Sequence, residues 1–175
     1  YQKPELHPKL SKAELTYINS DSEEETTERI PWLKLLPRRE TWAFAMTTVT
    51  DGVWWFYLFW GAKFLFEQFG VDINNIGLPF LIIFVMADAG SLLGGLASGA
   101  LIRKGWSINK SRKITLLVNA IIILPVALVP LMASKWMAVF LIGIGAMGHQ
   151  SWSINSYTLV PDVFPKKATA SVIGI

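Results

Sequence analysis

INNIGLPFLIIFVMADAGSLLGGLASGALI, residues 73–102, carries a single charged side chain, Asp88. A helix needs about 20 apolar residues to cross roughly 30 Å of hydrocarbon, and this run is longer. It does not alternate as a barrel strand would. Three other runs read the same way. Thr41–Ala62 holds one charge, Asp51; Ile114–Ser134 holds none; Trp136–Pro161 holds none apart from any that His149 could carry. Helices satisfy their backbone groups internally, as a bilayer requires. The expected fold is all-α: a polytopic transmembrane helix bundle. Its spans lie at about 41–66, 73–102, 114–134 and 136–160, with another starting at 168.

The charge distribution agrees. Residues 1–40 hold 15 of the 29 Lys, Arg, Asp and Glu, and residues 41–175 hold the other 14. Soluble domains average about 25% charge, so the second part is too poor in charge for a wet surface. With no Cys, disulfide frameworks, thiolate metal sites and thiol nucleophiles are excluded. A pI near 9.2 would suit nucleic acid only if the bases formed a stripe. Here they form short clusters between apolar runs, so no nucleic-acid partner is expected. The chain starts at Tyr1 without Met and ends at Ile175, eight residues into an uncharged run from Ala168. It is expected to be a piece of a larger membrane protein.

Orientation follows from loop Lys and Arg. One side has Lys34, Arg38, Arg39, Arg103, Lys104, Lys110, Arg112, Lys113, Lys166 and Lys167; the other has Lys63 and Lys135. The ten-to-two bias assigns residues 1–40, the 103–113 loop and the turn at 161–167 to the cytoplasm. A multi-pass protein of the inner (cytoplasmic) membrane is expected, with the lipid bilayer as its surroundings. Pro125 and Pro130 should bend or unwind the third span. Within the connector 1–40, Ser11 and Glu14 make a capping box for a helix to about Ile18. The acidic run 21–28 reads as solvated, and Trp32, Leu33, Leu35 and Leu36 as lying along the interface.

Intramembrane polar residues need a reason. Asp51 is either a carboxylate on a substrate or ion path, with Trp54, Trp55 and Tyr57 as aromatic walls, or a packing partner. Asp88 has the same two readings. It sits beside two small-residue stripes, Gly90, Gly94, Ser98 and Ser91, Gly95, Gly99, which allow close helix approach. The densest polar cluster is His149, Gln150, Ser151, Ser153, Asn155 and Ser156, with Trp152 and Tyr157. Such a face suits a polyhydroxylated solute, and interhelical glue is the alternative. Candidate substrate-binding residues are therefore Asp51, Trp54, Tyr57, His149, Gln150, Ser153, Asn155, Ser156 and Tyr157. No catalytic residue, metal site or cofactor is expected. One His in the spans, no Cys and no acidic pair within a helical turn argue against an enzyme.

TDGVWWFYLFWGAKFL (50–65), ADAGSLLGGLASGALIRKGWSINKSRK (87–113) and HQSWSINSYTLVPDVFPKKATASVIG (149–174), with LSKAELTYINSDSEEE (10–25), resemble the hexuronate-type transporters. These form part of the anion:cation symporter branch of the major facilitator superfamily. The resemblance implies the C-terminal half of a twelve-helix carrier: the central loop, helices seven to ten and the start of eleven. It implies symport of sugar-acid anions such as glucuronate or galacturonate with a proton, or with sodium. The partner in that arrangement is an N-terminal six-helix half, which in this family carries the best-attested proton and carboxylate sites. Ser153, Ser156 and Tyr157 fall on a substrate-facing segment. Gly99 stands where the cytoplasmic loop motif has Asp, and Gly52 where Pro often follows the Asp51 equivalent. Galactonate, glucarate or phosphate remain alternative cargoes, and a non-transporting membrane subunit is a further reading.

Overall fold

The computed structural model describes residues 10–20 and 31–174. The acidic run at 21–28 lies outside them. All regular elements among the described residues are helical: α1 (Lys12–Ser20), α2 (Trp32–Leu35), α3 (Arg39–Phe69), α4 (Gly77–Arg103), α5 (Ile108–Ile123) continued by a 3-10 segment (Leu124–Leu131), α6 (Lys135–Val163) and α7 (Lys166–Ile173).

Local chemistry sets the ends. The expected capping box starts α1: Ser11 Oγ accepts from Glu14 N at 3.2 Å, and Glu14 Oε2 accepts from Ser11 N at 2.9 Å. The Ser11 backbone N–H, then its hydroxyl, holds the Glu14 carboxyl below its ordinary pKa. Helix α3 stops at Gly70, whose φ of 64° is the left-handed conformation that favours glycine. Asp72 Oδ1 then accepts from the Asn74 and Asn75 backbone amides, both at 3.0 Å, turning the chain into α4. Ser107 caps α5, accepting from Lys110 N, so this helix begins six residues before the uncharged run at 114. Pro125 and Pro130 fall in the 3-10 segment. Losing two amide donors there unwinds the α geometry.

Residues 31–36 depart from the expected interface strip. Leu35 is fully buried against Val160, Phe164, Ala168 and Val172. The Thr41 hydroxyl donates to Leu35 O and the Trp42 indole N–H to Leu36 O, both at 2.8 Å. The strip is thus folded onto the ends of α6 and α7, while Leu33 stays 80% exposed.

Helix α6 is the hub, touching α3, α4, α5, the 3-10 segment and α7. It can do so because it is notched. Met86 of α4 sits against Gly143, and Val126 of the 3-10 segment sits against Gly145. The Asn119 carbonyl and the Ile122 and Ile123 side chains of α5 surround Gly148. The tightest seam is with α4. A Cβ placed on Gly90 would lie 2.6 Å from Met147 Cα, and one on Gly94 would lie 2.8 Å from Ser151 Cα. The stripe Gly90, Gly94, Ser98 is this seam, buried along its length. The stripe Ser91, Gly95, Gly99 faces away, and nothing lies within 4 Å of a Cβ on Gly95. Around the seam, Leu65, Ile83, Ala87, Val139, Ile142 and Ala146 form the apolar core.

The outer surface is apolar. Leu92, Leu93 and Leu96 on α4 and Leu117 and Ile121 on α5 are each more than half exposed. Water would penalise such a surface; hydrocarbon does not. By length and composition, Gly77–Arg103 and Ile108–Leu131 are long and apolar enough to cross a membrane, with mean hydropathies of 2.0 and 2.5. Helices α3 and α6 are as long, at 31 and 29 residues, but more polar.

One ionic cluster ties α4, α5 and α6 together at the end bearing the 103–113 loop. Arg112 Nε contacts Asp162 Oδ2 at 3.0 Å. Its Nη1 donates to Ser98 Oγ at 2.9 Å and to Asn155 Oδ1 at 3.4 Å. Arg112, counted above only as a loop charge, is a structural clamp.

Candidate functional site

A cavity of about 210 Å³ opens where α3, α4 and α6 meet. Helix α3 supplies Asp51, Trp54, Trp55 and Leu58, α4 supplies Ile83, Phe84 and Ala87, and α6 supplies His149, Gln150 and Ser153. The spacing explains the set. Asp51, Trp54, Trp55 and Leu58 follow the i, i+3, i+4, i+7 pattern of one helix face, and His149 and Ser153 are one turn apart.

Asp51 is the polar centre. Its Oδ2 accepts a hydrogen bond from the Tyr157 hydroxyl at 3.2 Å. Its Oδ1 lies 3.2 Å from His149 Nε2, yet neither atom has an aligned hydrogen-bond partner among the described residues. The contact is therefore a close electrostatic approach rather than a directed bond. The His149 ring is stacked on Trp54 at 4.9 Å and 16°, with Trp152 at 6.4 Å on the same helix. These rings leave His149 only 8% exposed. Tyr157 packs edge-on against Phe44 at 5.6 Å, which fixes its hydroxyl over Asp51.

Of the nine candidate residues, Asp51, Trp54, His149, Gln150 and Ser153 line this cavity, and Tyr157 borders it through Asp51. Three lie elsewhere. Tyr57 stacks on Trp54 at 5.8 Å but lines a separate apolar cleft with Gly61, Phe64 and Val126. Asn155 is buried, donating to Ser151 O at 2.8 Å and accepting from Arg112. Ser156 donates to Trp152 O at 3.0 Å and lines a groove with Phe44 and Thr47 near the start of α3. The polar cluster of α6 is thus divided between the cavity, the Arg112 clamp and the α3 contact. Asp88 is exposed on α4, one turn beyond Phe84.

The α4 wall escaped the sequence reading. Ile83 and Ala87, one turn apart and both buried, carried the only signal available, and it is the signal of any core face. The lining pairs aromatic faces with neutral donors and acceptors and, among the described residues, holds one carboxylate and no Lys or Arg. Its volume is below the roughly 300–1,000 Å³ typical of small-molecule pockets. Among the described residues, no group of three His, Asp or Glu is placed to hold a metal ion.

Residues 3–175 match the family model described as Major Facilitator Superfamily. The chain is 26% identical over 188 residues to the probable galactarate/D-glucarate transporter GudP of Bacillus subtilis (strain 168), covering 98% of this chain and 40% of that protein. It is 25% identical over 182 residues to the hexuronate transporter of Escherichia coli (strain K12), covering 100% of this chain and 42% of that one. A third relative, the D-galactonate transporter of Escherichia coli O6:H1, is 28% identical over 134 residues, 70% of this chain and 31% of its own length. The chain spans about two fifths of the length of the first two relatives. An all-helical architecture among the described residues, an apolar exterior and a family match over almost every residue agree: the chain belongs to the major facilitator superfamily.

Proposed function

We propose that this chain forms part of a secondary active transporter that carries a sugar-acid anion of the hexuronate class across the inner membrane in symport with a proton. The observation that carries the reading is the α3–α6 cavity. Trp54 and Trp55 offer faces on which a sugar ring can stack, and Gln150 and Ser153 offer hydrogen bonds to its hydroxyls. The names of the relatives favour sugar acids over phosphate. In a whole carrier, this wall recognises hydroxyls, and cationic groups elsewhere in the protein hold the substrate carboxylate. The bilayer surrounds the apolar exterior, and the basic loop and α1 face the cytoplasm. Transport proceeds by rocking of two helical bundles about a midplane site.

The test is uptake of labelled glucuronate, galacturonate and glucarate by cells expressing the full-length protein. A lost hydrogen bond between neutral partners costs about 0.5–1.5 kcal/mol, and about 1.4 kcal/mol is tenfold in affinity. Ser153→Ala and Gln150→Ala should each raise the half-saturating concentration roughly two- to tenfold, with maximal rate largely kept. Unchanged half-saturation in both would make this wall interhelical packing and remove the site.

A further inference from the structure

We propose that Asp51 and His149 form a shared proton site whose protonation accompanies anion binding in the α3–α6 cavity. This rests on the carrier reading above and adds to it where a coupling proton resides.

Asp51 and His149 approach to 3.2 Å where three helices meet, and neither ring nitrogen has a hydrogen-bond partner among the described residues. On α3, Lys63 and Glu67 are three turns or more from Asp51 and pair with each other at 3.7 Å; Tyr57 is behind Trp54. On α4, no titratable group lines the cavity, and Asp88 lies one turn beyond Phe84 on the exposed side. On α6, Tyr157 already donates to Asp51, and Asp162 is held by Arg112. The inward polar groups of α5, Thr115 and Asn119, are neutral. No fixed cation among the described residues balances Asp51.

Two protonation states follow. With Asp51 ionised and His149 neutral, the pair carries one negative charge. With one more proton, taken from the aqueous phase and held on either the carboxylate or the imidazole, the pair is neutral overall. An incoming carboxylate is repelled by the first state and not by the second. With the carboxylate held across the site, about 12 Å from Asp51 at an effective dielectric near 20, the difference in anion affinity is on the order of tenfold. Linkage is reciprocal: the anion must raise the proton affinity of the pair by the same factor. Trp54 and Trp152, against the His149 ring, keep the imidazole facing the carboxylate as the proton arrives.

The test uses purified full-length protein in detergent with little buffer, a pH-indicator dye and glucuronate as probe, with binding followed in parallel by calorimetry. Wild type should take up protons as glucuronate binds, and its affinity should fall as pH rises. Asp51→Asn, a fixed mimic of the neutral carboxyl, should take up fewer protons per bound glucuronate. At high pH it should bind as tightly as wild type does at low pH. His149→Gln should shift the midpoint of the pH dependence, and this readout decides the matter if Asp51→Asn does not fold. The proposal is overturned if Asp51→Asn keeps the wild-type proton count, if folded Asp51→Asn loses glucuronate at every pH, or if His149→Gln leaves the midpoint unmoved. A wild-type protein that binds no sugar acid would overturn the carrier reading itself, and this proposal with it.

Discussion

Gly94 and Gly95 are adjacent in sequence, chemically identical and opposite in environment. Adding one methyl to each isolates the α4–α6 seam. A Cβ on Gly94 would stand 2.8 Å from Ser151 Cα and 2.9 Å from Ser151 Cβ. Ordinary carbon contacts are about 3.5–4.0 Å, so the helices would have to part by several tenths of an ångström or more. The nearest carbon belongs to the backbone, so no rotamer change can relieve it. Overpacking of this kind costs about 1–3 kcal/mol. The same methyl on Gly95 meets nothing within 4 Å. Removing a glycine from a helix interior there should gain about 0.5–1 kcal/mol. Thermal unfolding of the two full-length variants in detergent, followed by fluorescence-detected size exclusion, should rank Gly95→Ala at or above wild type and Gly94→Ala clearly below. Transport by Gly94→Val should drop at all substrate concentrations. Equal melting of Gly94→Ala and Gly95→Ala would refute close helix approach as the reason for the glycine stripe.

The remaining expectations concern orientation and the clamp. From the excess of basic residues the 103–113 loop is expected in the cytoplasm, so a Cys at Ser107 should resist an impermeant thiol reagent in intact cells while one at Asn74 reacts; the reverse labelling overturns the orientation. Arg112→Ala strips Asp162, Ser98 and Asn155 of their common partner and should destabilise the protein by about 1–3 kcal/mol, given that the pair is partly exposed. A double-mutant cycle with Asp162→Ala should return a coupling of about 0.5–3 kcal/mol, and additive effects would reduce the cluster to an incidental surface contact.

The sequence predicts the helical class well because that class depends on sums: long apolar runs, few charges and two prolines placed where the third span tightens to 3-10 geometry. The Gly90–Gly94–Ser98 seam was also readable, since small residues one turn apart can share only one face. Partners were not readable. Nothing local distinguishes Asn155 from Gln150, although one joins the Arg112 clamp and the other the cavity. That division depends on the azimuth of α6 against three neighbours, fixed by contacts at Gly143, Gly145 and Gly148 with residues distant in sequence. Arg112 was hidden for a related reason. Its position in a basic loop marked it only as a charge that sets orientation, and only the folding of α5 from Ile108 onward turns it toward Asp162. Leu35 looked like an interfacial residue because its pocket, between Val160 and Val172, is built by residues more than a hundred positions away.

The two joints of α6 differ in how freely they can change. Against α4 it meets glycines that admit no side chain, so drift in that seam is nearly closed. Against α3 it meets Asp51, Trp54 and Phe44 through rings and a single hydroxyl–carboxylate hydrogen bond, and these can be exchanged one at a time without parting the helices. On the carrier reading proposed above, a lineage altering its cargo has an adjustable wall beside a fixed one. New specificities would be written mainly on α3, at positions such as Trp55 and Leu58, whose replacement resizes the cavity and leaves the frame of α4 and α6 standing.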